Sequence, residues 1–132
     1  MGYGNVGKES AVRFKAFGAN VMVCNRSSVD TSNTFVDEYY PLDKRDEALK
    51  KADIICLAIP ATKETTHIIG KHELEIMKDT AVIINVGRGA LIDEPELIQT
   101  LQGGKLLGVA LDVFEKEPPE DSNPLWNMPN VL

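Results

Sequence analysis

The stretch Ala81-Val-Ile-Ile-Asn-Val-Gly-Arg-Gly-Ala-Leu-Ile-Asp93 decides how the chain is read. Residues 81–84 form an unbroken apolar run, which suits a strand buried on both faces of a sheet. The run breaks at Gly87-Arg88-Gly89, so one arginine stands between two glycines just past the strand's carboxyl end. In open α/β sheets ligands bind at that edge. Glycine permits a sharp turn and a close approach to a ligand. Arginine offers a planar, permanently charged fork that matches a carboxylate. A helix is predicted to follow, with Asp93 as its cap, Glu96 closing a capping box and Ile92 stapled to Leu97. Arg88 is therefore expected on a short loop pinned at both ends. A surface arginine in an ordinary strand-to-helix turn is the plain alternative, and this stretch alone leaves it open.

Working outward, the same alternation of strand and helix repeats. The chain opens on Met1-Gly-Tyr-Gly-Asn-Val-Gly7, a GxGxxG pattern running into a helical stretch over residues 5–17, with Gly18 placed to stop it. In that pattern one glycine makes the turn, one lets backbone meet a pyrophosphate, and one lets helix pack on strand. A strand at 20–24 follows, and Asn25-Arg26-Ser27-Ser28 stands at its end, where a dinucleotide fold usually places an acid. Residues 29–42 carry little apolar pattern, so a loop or weak helix and a short edge strand are expected there. A short helix at 43–51 has Asp43 as its cap and Leu49 facing inward. Residues 53–59 form a buried strand ended by Pro60, and a polar loop with Thr62, Thr65 and Thr66 follows. Another short helix is expected at 71–77, a further helix at 94–102 and a last strand at 106–112, with Asp112 at its carboxyl end. The tail from 123 to 132 is rich in turn formers and ends on an apolar pair.

This order implies an α/β fold, a doubly wound parallel sheet of the Rossmann-like kind. The strand that leads into a glycine loop is central in such a sheet. Here it would precede Met1, so residues 1–132 read as a partial dinucleotide-binding domain, truncated at both ends. A gap or irregular contact is accordingly expected between the strand at 20–24 and the one at 53–58.

At 132 residues the chain has the length of one domain. The formal net charge of -6 argues against a nucleic-acid or anionic-membrane surface, and no apolar run is long enough to span a bilayer. It does not argue against an anionic cofactor, because backbone N–H groups and helix dipoles hold phosphates locally. Cys24 and Cys56 lie in strand-like runs without metal spacing, and read as reduced core residues of a cytoplasmic protein. No metal site is expected.

Four segments carry a resemblance. They are Gly2-Tyr-Gly-Asn-Val-Gly7, Leu57-Ala-Ile-Pro-Ala-Thr-Lys-Glu-Thr65, Asn85-Val-Gly-Arg-Gly-Ala-Leu-Ile-Asp93 and Gly108-Val-Ala-Leu-Asp-Val-Phe-Glu-Lys-Glu-Pro118. Along nearly its whole length the chain resembles the nucleotide-binding domain of the D-isomer-specific 2-hydroxyacid dehydrogenases. The resemblance implies an NAD(P)-dependent oxidoreductase that moves a hydride between a nicotinamide and a 2-oxo acid or D-2-hydroxy acid. It implies that Arg88 grips the substrate carboxylate and polarises the carbonyl. It implies that Glu117, and not Glu115, pairs with the catalytic histidine and raises its pKa. Asp112 then contacts the nicotinamide end. Thr65, Ile59 and Pro60 line the nucleotide, and Val86 and Gly87 offer backbone near the nicotinamide. The glycine loop binds through Tyr3, Gly4, Asn5 and Val6. The catalytic histidine of the family would fall just beyond residues 130–132; His67 and His72 do not match it and are expected to be exposed. The substrate-binding domain would also lie outside this chain, which alone is expected to be inactive. A homodimer is implied for the full-length protein.

Without the resemblance, Glu117 reads as a solvated acid and Asp112 as a strand-end turn former. For the cofactor, Asn25 does not repel a 2′-phosphate, Arg26 can pair with one, and Ser27 adds a hydroxyl, so NADP(H) is favoured over NAD(H). Competing readings are a dinucleotide-sensing module of the same fold and a dehydrogenase acting on an amino acid. Arg88 with Glu117 argues against the first, and Gly87-Arg88-Gly89 with residues 111–114 against the second. Which 2-oxo acid is used is left open.

Overall fold

The structure is a computed structural model and describes residues 1–32 and 35–132; part of the weakly patterned segment at 29–42 thus lies outside the described residues. Helix α1 (Asn5–Ala16) leads to β1 (Met22–Asn25), β2 (Glu38–Pro41), α2 (Arg45–Lys51) and β3 (Ile54–Leu57). Then come α3 (Lys71–Ile76), β4 (Val82–Asn85), α4 (Glu94–Gln102) and β5 (Gly108–Leu111). All described pairings are parallel: β1 with β2, β3 with β4, and β4 with β5. The alternation of apolar runs with helical stretches thus gives the expected doubly wound α/β fold.

The sheet is in two pieces, of order β1-β2 and β3-β4-β5. A cavity of about 440 Å³ lies between them, lined by Val21, Met22 and Val23 on one side and Ile54, Ile55 and Cys56 on the other. Backbone crosses this gap at Met1 and Gly2. Gly2 N–H donates to Cys24 O at 2.9 Å, Ala58 N–H to Met1 O at 2.9 Å, and the Met1 ammonium to Cys56 O at 2.6 Å. Burial pushes the pKa of that ammonium down. The irregular contact is therefore where the strand order predicts it. It also corrects one expectation: Ile54 faces the gap and is 49 % exposed, so β3 is not buried along its whole length.

Several local expectations hold in part. The Asp93 carboxylate caps α4 through Glu96 N–H at 3.2 Å. The capping box is only half made, because Asp93 N–H already donates to Ile69 O at 2.9 Å and has no need of the Glu96 side chain. Ile92 and Leu97 both enter the main core. Asp43 is not a cap: it sits inside a 3-10 turn, Leu42–Lys44, and Lys44 takes the position before α2. Leu49 is buried as expected. The helices α2 and α3 are joined by the Arg45 guanidinium, whose Nη2 donates to Glu73 Oε1 at 2.6 Å while Gly70 N–H donates to Glu73 Oε2 at 3.1 Å. A charge buried this deeply is tolerated because both its oxygens are satisfied.

Beyond β5, the apolar pair at the end of the tail returns to the sheet. Val131 bridges Val109, with Leu132 N–H donating to Val109 O at 2.8 Å and Leu111 N–H to Leu132 O at 2.8 Å. Cys24 and Cys56 are free thiols. Among the described residues no helix is long and apolar enough to cross a membrane, and no cluster of His, Cys, Asp or Glu is arranged to hold a metal ion.

Candidate active site

The carboxyl ends of β3 and β4 open into a cavity of about 630 Å³. Its wall includes Val6 from the first turn of α1, Ile59 and Pro60 from the loop after β3, Val86, Gly87 and Arg88 from the loop after β4, and Glu117. Four separate segments of sequence are thus brought to one rim, because parallel strands all release their loops at the same edge.

Each loop is fixed by a specific contact. Asn85, 1 % exposed at the end of β4, accepts from Gly87 N–H at 3.1 Å and donates from Nδ2 to Arg88 O at 3.0 Å. This buried amide holds the turn that presents Arg88. The Arg88 side chain is exposed and rests one Nη1 on Gly87 O at 2.7 Å, which leaves the guanidinium at the cavity mouth. Gly89 touches the neighbouring loop so closely that a Cβ there would stand 1.9 Å from the carbonyl carbon of Phe114. That contact sets the separation between the Arg88 loop and the Glu117 loop. Glu117 accepts from Phe114 N–H at 3.1 Å through Oε1.

The glycine turn suits a phosphate group. Gly2 has φ +91°, and a Cβ there would lie 2.5 Å from Ile59 Cγ2, so only glycine brings the turn this close to β3. Gly4 precedes α1 and faces open space. Helix α1 has twelve residues and no acid in its first turn, so the partial positive charge of its N-terminus is not neutralised from within. Tyr3 is half-buried with the Lys8 ammonium 5.8 Å from its ring centre, while Asn5 and Val6 are exposed. These residues fit a dinucleotide laid across the rim.

The other candidate residues do not line this cavity. Asn25 ends β1 and donates from Nδ2 to Ser27 O at 3.1 Å, and Arg26 and Ser27 are exposed beside it. Arg26 is close enough to Glu64 to help lower that carboxyl's pKa, after the larger effects of the Thr62 hydroxyl and a backbone N–H. Thr65 is buried, its hydroxyl accepting from Thr62 N–H at 2.7 Å and donating to Pro60 O at 2.8 Å. It shapes the loop and does not offer its hydroxyl to the cavity. Asp112 is exposed past β5 and extends the ladder by donating its N–H to Asn85 O at 3.0 Å.

His72 and His67 are exposed, as expected. His72 pairs with Asp46 at 2.8 Å, and that hydrogen bond raises its pKa. His67 instead meets Glu115 and Asp93. The sequence pattern did not single out Asn85 as part of the site, and it reads Gly89 only as a residue that lets the backbone turn and a ligand approach, not as the contact with Phe114. For Asn85 the signal was present: a lone amide at the end of a buried apolar run, two residues before the turn, is placed to bond its own loop.

The family model for the D-isomer specific 2-hydroxyacid dehydrogenase NAD binding domain matches residues 1–132. A glyoxylate reductase from Thermococcus gammatolerans is 38 % identical over 133 residues, covering 100 % of this chain and 39 % of that protein. A D-3-phosphoglycerate dehydrogenase from Methanocaldococcus jannaschii is 39 % identical over 143 residues, covering 100 % of this chain and 25 % of that protein. Among solved structures, a probable 2-hydroxyacid dehydrogenase from Rhizobium etli in complex with NADP, HEPES and L(+)-tartaric acid superposes with a TM-score of 0.92 at 31 % identity, covering 100 % of this chain and 42 % of that one. The chain thus spans well under half the length of these relatives. With the family model matched over the whole of residues 1–132, the chain belongs to the D-isomer specific 2-hydroxyacid dehydrogenase family and corresponds to its NAD-binding domain.

Proposed function

We propose that this domain binds a nicotinamide dinucleotide across the rim of its sheet and contributes Arg88 and Glu117 to the reduction of a 2-oxo acid. The observation that carries this reading is that Val6, Pro60, Arg88 and Glu117 line one cavity. The N-terminus of α1 and the open space at Gly4 would hold the pyrophosphate. A bound nicotinamide would supply the hydride. The Arg88 fork would clamp the carboxylate of the acid and orient its carbonyl. Glu117 would use its second carboxylate oxygen to hold an imidazolium supplied from outside residues 1–132, as the family resemblance implies, and that imidazolium would protonate the forming alkoxide. Turnover is accordingly expected of the protein together with its substrate-binding part. A sensor of the same fold has no need for a guanidinium and a carboxylate on one cavity wall.

The finer reading concerns the cofactor. Asn25, Arg26 and Ser27 present an amide, a cation and a hydroxyl with no acid among them, which favours NADP(H) over NAD(H). The Rhizobium etli structure with NADP lends support. Titration of the chain with NADPH and NADH, followed by nicotinamide fluorescence, tests this. Tighter binding of NADPH is expected, and Asn25→Asp should move the preference towards NADH. A clear NADH preference in the unaltered chain overturns the reading of Asn25 and Arg26, and failure to bind either overturns the dinucleotide assignment. For the reaction, a screen of 2-oxo acids against NADPH absorbance in the full-length protein is decisive, and Arg88→Lys should lose most turnover because a point charge cannot replace the fork. Pairing with a second copy in the cytoplasm is part of the same proposal. It rests on the resemblance, and sedimentation of the full-length protein checks it.

A further inference from the structure

His67 lies outside the motifs that the proposed reaction uses, yet it stands where three loops meet. Its Nε2 is hydrogen-bonded to Glu115 Oε1, on the loop that carries Glu117. Its Nδ1 lies 3.6 Å from Asp93 Oδ2, at the end of the loop that carries Arg88. Its own N–H donates to Ala90 O at 2.8 Å, within that same Arg88 loop. Its backbone is left-handed, with φ 51°, a conformation that is unfavourable for a non-glycine residue and persists only where surroundings enforce it. Glu94 adds a third carboxylate, accepting from Glu115 N–H at 3.3 Å through Oε2 and from Asn123 Nδ2 at 2.7 Å through Oε1. Asp93 and Glu115 would repel one another across the loops without a donor between them.

We infer that His67 is a positioning residue: its imidazole clamps the loop bearing Glu117 to the loop bearing Arg88. Its catalytic consequence rests on the proposed reduction of a 2-oxo acid, whereas the clamp itself does not. An exposed histidine–carboxylate pair on a rigid element contributes little. This one acts on residues 113–117, which Phe114 anchors on the main core and against Trp126, and whose backbone is held by side chains, Glu94 at Glu115 N–H and Glu117 at Phe114 N–H. Gly89 keeps the two loops in touch at one point, and His67 holds them together at a second, which fixes their relative orientation.

Two measurements separate the clamp from the reaction. The first is amide hydrogen exchange at Phe114 and Glu115 in the unaltered chain and in the His67→Ala, His67→Gln and Glu115→Ala variants. Exchange at both amides should rise several-fold in His67→Ala and in Glu115→Ala. His67→Gln, whose side-chain amide reaches the position of Nε2, should restore part of the protection. Unchanged exchange in His67→Ala and Glu115→Ala overturns the clamp, and Glu115→Ala, changed on an exposed loop, guards against a result that reflects misfolding at the left-handed position. The second is turnover in the full-length protein. Loss of the clamp should lower kcat by roughly 10- to 100-fold, the scale of a misplacement near 1 Å. KM for NADPH should stay within about twofold, since the glycine turn and α1 are not touched. Faster exchange with unchanged kcat overturns the positioning role. Absence of turnover in the unaltered protein overturns the proposed reaction instead, and the exchange result then still decides the clamp.

Discussion

Around β3, β4 and β5 one apolar cluster takes in Leu57, Ile83, Leu91 and Leu97, each with no exposed surface, and reaches on to Leu125 in the tail. Around β1 and β2 the apolar contacts fall into two small groups, Ala11 with Val21, Val23 and Val36, and Cys24 with Tyr40 and Ala48. Polar contacts supplement them there: Lys15 pairs with Asp37 at 2.5 Å, and Lys51 with Glu38 at 3.0 Å and the Tyr40 hydroxyl at 2.6 Å. The cavity between the two pieces limits how far one can brace the other. The division matches the proposed function. Arg88 and Glu117, which the proposed reaction needs in a fixed geometry, stand on the well-packed piece. Asn25, Arg26 and Ser27, proposed to select the cofactor, stand on the lighter one. Positional accuracy needs a dense core behind it, whereas recognition of a phosphate by exposed side chains tolerates a softer support.

Four substitutions probe this division. Ile83→Ala should cost about 2–5 kcal/mol in a urea melt, because Ile83 is fully enclosed and its neighbours cannot collapse into the hole. Val23→Ala, at 5 % exposure in the smaller cluster, should cost about 1.5 kcal/mol, the transfer of two methyl groups with little added for a cavity. Equal costs at the two sites would remove the distinction between the pieces. Asp93→Ala removes the cap of α4 and should cost about 1 kcal/mol in the same melt. His72→Gln, which breaks the pair with Asp46 between α2 and α3, should have the smallest effect and a pH dependence. The folded-state pKa of His72 is raised, so its contribution is complete below 6.5 and is lost as pH rises through that raised value. The pKa of Asp46 is lowered, so its contribution is complete above 3.8 and is lost as pH falls through the lowered value. The Tm difference between wild type and variant should therefore peak between 3.8 and 6.5 and shrink on both sides.

What could be read from the sequence follows how local the cause is. The run ending in Asn85, the helix from 94 to 102 and its Asp93 cap are written in neighbouring residues, and all are present. The gap beside β1 was also legible, since strand order follows from the α/β alternation. Asp43 misled because a 3-10 turn can begin one residue earlier on Leu42 and absorb the capping acid. The return of Val131 to β5 had no local period to announce it. Thr65 lies on the polar loop that follows Pro60, but no pattern reveals that its hydroxyl is spent on Thr62 and Pro60. The pairing of His67 with Glu115 spans 48 residues and depends on two loops that only the folded sheet brings together.

The closeness of Gly89 to Phe114 has one more implication. Main chain abuts main chain there, so the distance across the mouth works as a gauge block, and any side chain at position 89 would force it wider. Under the proposed reaction, variation in the acid accepted would have to enter through groups overhanging the mouth from elsewhere, while the span between the two loops keeps one length.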